Sequence, residues 1–251
     1  MEIEKPKQNS FDKFILLQVN IFFNSLNIIP DTSTFIKILE LFKEEEFIPN
    51  TILELGPEGA KPRLNMSSKD TRWNISFLQN YISLKYVCGP KDDNDNTLKL
   101  FLPQSEKIAG KIFKYIGQKS TRLALVFHAM LNEMTKEELE SCYRKLFNPL
   151  PLYNDNAPFE WNNRSVSQVA ISFENVSEKL NIITEIKRNQ GQLLSNKDIL
   201  EFDRIFLQYE INTLSENRET RFDIMHYTPF INVAKDNYLN ILNDIESVIY
   251  G

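Results

Sequence analysis

Apolar positions recur along this chain at two spacings, and each change of spacing marks an element. The run from Phe11 to Leu26 reads as one long strand. It is apolar on both faces: Phe14, Leu16, Ile21 and Phe23 stand beside Ile15, Leu17, Val19 and Phe22, which predicts a central strand and not an edge. Asp31 then offers a side-chain oxygen to free helix amides, and Phe35, Ile38, Leu39 and Phe42 follow at helical spacing. Trp73, Ile75 and Phe77 alternate with polar residues, as do Ile82, Leu84 and Tyr86. With Gln79-Asn80 between them, the two runs predict a hairpin. Gly56-Pro-Glu-Gly59 reads as a turn, Lys91–Asn96 as a polar loop, and Ser105–Gly117 as a helix closed by its glycine.

The same order then returns. Thr121–Leu131 is a strand with Leu123, Leu125, Phe127 and Ala129 on one face. Thr135 and Glu138 form a capping box that opens a helix running through Phe147. Val166–Phe173 and Lys179–Lys187 predict two strands joined at Glu174-Asn175, and Arg204–Leu214 a third. Thr228-Pro229 reads as the start of a last helix ending near Tyr250, because proline suits a first helical position. The expectation is an α+β fold of two similar halves, residues 1–118 and 119–251. Each half reads strand, helix, antiparallel strands, helix, with the helices packed on antiparallel sheets.

Composition narrows the class. The chain has 251 residues, 42% of them hydrophobic and 25% charged, which is the mix of a folded globular protein and not of a disordered one. No apolar run approaches the roughly 18–20 residues that span a bilayer, and Met1–Gln8 shows no secretory h-region, so no membrane association is expected. Cys88 and Cys142 are the only cysteines and exclude a disulfide framework; with no signal visible, they predict a reduced cytoplasmic setting. The net charge of −5 opposes bulk attraction to nucleic acid but leaves room for a local basic patch.

Candidate chemistry is sparse. His128 and His226 are the only histidines; a hydrolytic base would need one of them beside a nucleophile, and the plainer reading is a partly exposed strand residue and a loop residue. Two Cys and two His without ligand pairs argue against zinc. Asp92–Asn96 resembles the start of a calcium loop, yet Thr97 holds the glycine position and Pro103 the bidentate glutamate position. With seven glycines and no glycine-rich phosphate cradle, neither a nucleotide cofactor nor a CRISPR repeat-processing endonuclease is indicated. Asp203 and Glu210, seven apart on one strand, fall on opposite faces, and Glu210, Asn212, Arg218 and Arg221 suggest a structural polar cluster. No catalytic residue, cofactor or metal is assigned. The nucleic-acid hint is a basic stripe, Lys107, Lys111 and Lys114 followed by Lys119 and Arg122, with Lys61, Arg63, Lys69 and Arg72 around Trp73.

Several stretches carry a family resemblance: Arg63–Trp73 with the hairpin to Tyr86, Thr121–Phe127, and Leu207–Leu214 followed by a C-terminal helix. Together they resemble a sporadically distributed family of uncharacterised bacterial proteins over nearly the whole chain. The resemblance implies a two-part α+β fold and no assigned reaction. Its sporadic distribution implies gene cassettes in which antiviral defence, anti-defence and toxin–antitoxin genes cluster.

The leading expectation is a non-enzymatic factor that binds another protein, one encoded by a neighbouring gene in such a cassette, through its many aromatic residues. The alternative is a single-stranded RNA or DNA binder using Lys107–Arg122. The last helix shows an apolar arc wider than one buried face needs. Ile241, Ile245 and Ile249 are therefore expected at a homodimer or partner interface.

Overall fold

The computed structural model describes residues 11–89, 92, 94–173, 176–195 and 198–251. The N-terminal segment read for a secretory signal, Lys91 and Asp93 of the polar loop, and the Glu174-Asn175 turn lie outside the described residues. The strands are β1 (Phe11–Phe22), β2 (Ile48–Gly56), β3 (Gly59–Ser67), β4 (Trp73–Phe77), β5 (Tyr81–Val87), β6 (Arg122–Leu131), β7 (Trp161–Phe173), β8 (Val176–Ser195) and β9 (Asp198–Thr213). The helices are α1 (Thr32–Leu41), α2 (Asn94–Ile116), α3 (Lys136–Leu146), the single turn α4 (Leu152–Asp155) and α5 (Ile224–Tyr250).

The expectation of two similar halves, each strand, helix, antiparallel strands and helix, is overturned. All nine strands belong to one antiparallel sheet in the order β2-β3-β4-β5-β1-β6-β9-β8-β7. The join is β1 against β6, registered from Phe22↔Arg122 to Phe11↔Leu131. In separate sheets β1 and β6 would each be an apolar edge with unpaired backbone groups, a template for aggregation. Pairing them removes both edges and lets Leu17, Val19 and Ile21 share one core with Leu123, Leu125 and Phe127.

That core lies on one face of the sheet, under the helices. Phe127 packs on Tyr238 of α5 with ring centroids 4.5 Å apart, Trp73 stacks on Phe101 of α2 at 5.4 Å, and Trp161 meets Tyr143 of α3 at 6.1 Å. Ile38 of α1 is fully buried in the same cluster. No helix among the described residues is long and apolar enough to cross a membrane.

Local signals set several boundaries. Asp31 Oδ1 accepts from Thr34 N at 2.8 Å and starts α1, and Thr135 and Glu138 close the expected capping box of α3. Two helix starts differ from expectation. α2 begins at Asn94 and carries Pro103 inside, because Phe101, Ile108 and Ile112 bury one continuous stripe on both sides of it. Pro103 is exposed, so water can satisfy the carbonyl its ring leaves free. α5 begins at Ile224, five residues before Pro229. Asp223 caps it, accepting from Met225 N at 3.0 Å, while the His226 ring closes back on the Asp223 amide. His226 is thus a buried cap residue and not a loop residue.

Candidate functional site

Pairing the strands in register lines up the side chains of the other sheet face, against which no helix packs among the described residues. One row crosses all nine strands: Asn50, Asn65, Ser76, Ser83, Asn20, Ala124, Asn212, Asn181 and Gln168. Eight of its nine members are polar, and the row spans roughly 38 Å at the usual strand spacing. The amides bond to one another. Asn65 Nδ2 donates to Asn50 at 2.9 Å, Ser76 Oγ to Asn65 at 2.8 Å, Asn181 Nδ2 to Asn212 at 3.1 Å and Gln168 Nε2 to Asn181 at 2.9 Å. A neighbouring row runs through Ser67, Asn74, Lys85, Gln18, Val126 and Glu210. Such a face cannot be a core. Its polar groups are satisfied laterally, so the surface is rigid without a covering layer.

Its charge is unlike that of the whole chain. Among the described residues, strand positions on this face carry eight cations (Lys61, Arg63, Lys85, Arg122, Arg164, Lys179, Lys187 and Arg204) and three anions (Glu54, Glu185 and Glu210), against a net −5 for the protein. Each of the three anions sits beside a cation, Glu54 at 2.6 Å from Arg63 and Glu185 at 3.4 Å from Lys187. Glu210 stands 3.5 Å from Arg122.

At one end of the face Arg122 lies over the Phe22 ring, its guanidinium carbon 4.6 Å from the centroid, and Phe22 meets Tyr81 at 5.2 Å. Near the middle, Lys85, His128 and Lys187 approach one another. Burial, then Lys187 and Lys85, hold the His128 imidazole below its ordinary value against the pull of Glu185. The residues opposite His128 are Leu16 and Gln208, neither a nucleophile.

The basic stripe read from the sequence is divided by the fold. Lys107 and Lys111 face the acidic turn after α1: Lys111 lies 2.7 Å and Lys107 2.9 Å from the almost fully buried Glu45 side chain, and Lys107 also reaches Glu44 at 3.0 Å. Burial alone would raise the Glu45 carboxyl; the two ammonium groups outweigh it and hold it below the usual carboxylate range. Lys119 pairs with Asp223 at 3.2 Å, Lys114 is exposed on α2, and only Arg122 stands on the helix-free face. Of the residues expected at an interface, Ile245 and Ile249 are buried in this chain's own core and Ile241 is packed against it; Leu239 and Val248 are the exposed apolar members of that arc.

The remaining candidates resolve into structural pairs. Asp203 binds Arg188 through two oxygens at 2.8 and 2.7 Å on the helix face, opposite Glu210. The four-residue polar cluster separates, because Glu210 bonds Asn212 at 2.7 Å while Arg221 pairs with buried Glu178. The Asp92 carboxylate accepts from Gly89 N at 2.7 Å and pairs with Arg72 at 3.0 Å. Trp73 points into the core, away from the basic residues around it. No group of three or more metal-ligating side chains occurs among the described residues. Neither Cys88 nor Cys142 is in a disulfide among the described residues. No family model, curated protein or solved structure matches this chain.

Proposed function

We propose that the chain is a nucleic-acid-binding protein that takes single-stranded RNA or DNA on the helix-free face of its sheet. The observation that carries this reading is the eight-to-three excess of cations among the described residues of that face, in an acidic protein. Phosphate neutralisation needs cations concentrated on one surface and not in the overall balance. The half-buried rings of Phe22 and Tyr81 add a platform for base stacking, which is tolerant of sequence. The protein works by binding, and a reduced, cytoplasmic setting suits two cysteines that form no disulfide among the described residues.

The test is a fluorescence-anisotropy titration of a short oligonucleotide over a range of salt concentrations. Lys85→Ala, Arg164→Ala and Lys187→Ala together remove three phosphate contacts. The slope of log affinity against log salt then becomes shallower by about 2, at roughly 0.7 per contact. Binding that ignores salt, or a triple variant that titrates like the parent, overturns the proposal.

A protein partner is the second reading. It is favoured by Leu150, Leu152 and Phe159, exposed at 66%, 67% and 68%, in and around α4. Co-purification of a neighbouring gene product that is lost on Leu152→Ser plus Phe159→Ser supports it; unchanged recovery of that product excludes this patch.

A further inference from the structure

The turn that joins β2 to β3 stands beside the aromatic end of the helix-free face, and the two border a half-open cavity of about 580 Å3. One wall is the Phe22–Tyr81 pair, whose rings meet at 31°. The facing lip is Gly56-Pro57-Glu58-Gly59, where Gly59 adopts φ +98° and so permits the two-residue turn. The cavity lies within the range that takes a small organic ligand.

Its polar groups are few and held in place. Glu54 is fixed by Arg63 at 2.6 Å and by the Gln79 amide at 3.2 Å. Glu58 pairs with Lys61 across the lip. Behind the wall, the Arg122 guanidinium lies on Phe22, and its Nε is buried with no hydrogen-bond partner among the described residues. The site therefore combines an aromatic wall, carboxylate acceptors opposite it, and a cation where the open face begins.

We propose that this cavity is a nucleobase subsite: one unstacked base of the bound strand enters it and stacks on the Phe22–Tyr81 wall, while its backbone leaves past Arg122 onto the cationic face. The inference rests on the nucleic-acid reading of that face and adds a base-dependent contact to a binding otherwise governed by phosphates. A planar base suits the wall because stacking needs only a ring, and it suits the acceptors because exocyclic amino groups donate.

The experiment compares a short single-stranded oligonucleotide with the same backbone made fully abasic, each titrated against the parent, Tyr81→Ala and Tyr81→Leu. The last variant keeps the side-chain bulk in case alanine unsettles β5. For the parent, removing the bases weakens binding at least five-fold, the lower bound of one base–aromatic stack. Both Tyr81 variants lose a comparable factor on the normal strand and nothing on the abasic one, so the two losses do not add. Equal affinity of the parent for the two strands overturns the subsite while leaving the face intact as a phosphate surface. So does a Tyr81 loss of the same size on both strands. Absence of binding to either strand overturns the nucleic-acid reading and the subsite with it.

Discussion

Replacing Arg221 with Met is expected to be the most costly single change outside the hydrophobic core. Arg221 precedes α5 and reaches across to the start of β8, where its Nε donates to Glu178 Oε2 at 2.7 Å. Its Nη1 donates to the carbonyls of Thr121, Asn217 at 3.0 Å and Glu219 at 3.1 Å, and its guanidinium lies 4.5 Å from the Phe222 ring centroid. The side chains of Arg221 and Glu178 are 11% and 5% exposed, so truncating the arginine leaves a carboxylate in the interior without its counter-charge. Breaking a buried pair from one side costs about 3–5 kcal/mol, a large share of a typical folding free energy of about 5–15 kcal/mol. Adding Glu178→Met removes the stranded charge and should recover most of that loss, though not the carbonyl bonds. Urea denaturation of the two single variants and the double variant at constant m-value measures this. The reasoning fails if Arg221→Met costs under about 1 kcal/mol, or if the double variant is no better than the single.

The helix-side lysines should be dispensable for nucleic-acid binding. Lys107→Ala plus Lys111→Ala leaves affinity and salt slope unchanged in an anisotropy titration, because Glu44 and Glu45 already neutralise both cations; a slope shallower by one or more would return the site to α2. Burial raises the phenol groups of Tyr209, Tyr227 and Tyr238 above their ordinary value. Folded hydroxyls then keep protons that the unfolded chain releases above about pH 10, so stability is full below that pH and declines above it. The decline is about 1.4 kcal/mol per pH unit for each tyrosine, readable as the urea midpoint between pH 9 and 11. The Tyr238 hydroxyl is buried without a partner among the described residues. Tyr238→Phe should therefore raise stability by about 1 kcal/mol and make the alkaline decline less steep; a loss of stability on thermal melting contradicts this. Thr135→Ala removes the cap that accepts from Glu138 N at 3.2 Å and should cost about 1 kcal/mol by the same melt, with no change indicating that α3 is held by packing alone.

What could be read in advance depended on whether a signal was local. β1, β6 and β9 were legible because their apolar residues recur at alternate positions: Leu17, Val19 and Ile21, Leu123, Leu125 and Phe127, and Ile205, Leu207, Tyr209 and Ile211 are all buried. The caps at Asp31 and Thr135 were legible because each is satisfied three residues away. β2 and β3 were not, since the outer strand buries none of its side chains and the inner one carries Pro62. The start of α5 was missed because His226 takes the capping-box position normally held by Glu or Gln.

The candidate site was hidden for a further reason. Lys107 and Lys111 look like a free basic stripe until the chain folds Glu44 and Glu45, over sixty residues earlier, against them. Conversely, Lys85, Arg164 and Lys187 are scattered singles that become one surface only when strand order and register are known.

The central claim is that a single strand lies on the helix-free face, and photo-cross-linking tests it most directly. A short oligonucleotide carrying photoreactive bases, irradiated with the full-length protein and followed by peptide mass spectrometry, reads out the contacted residues. Adducts concentrated on Phe22, Tyr81, Lys85 and their neighbours in β1, β5, β6 and β9 are the predicted result. Adducts concentrated on α2 or α5, with the sheet face unlabelled, would contradict it.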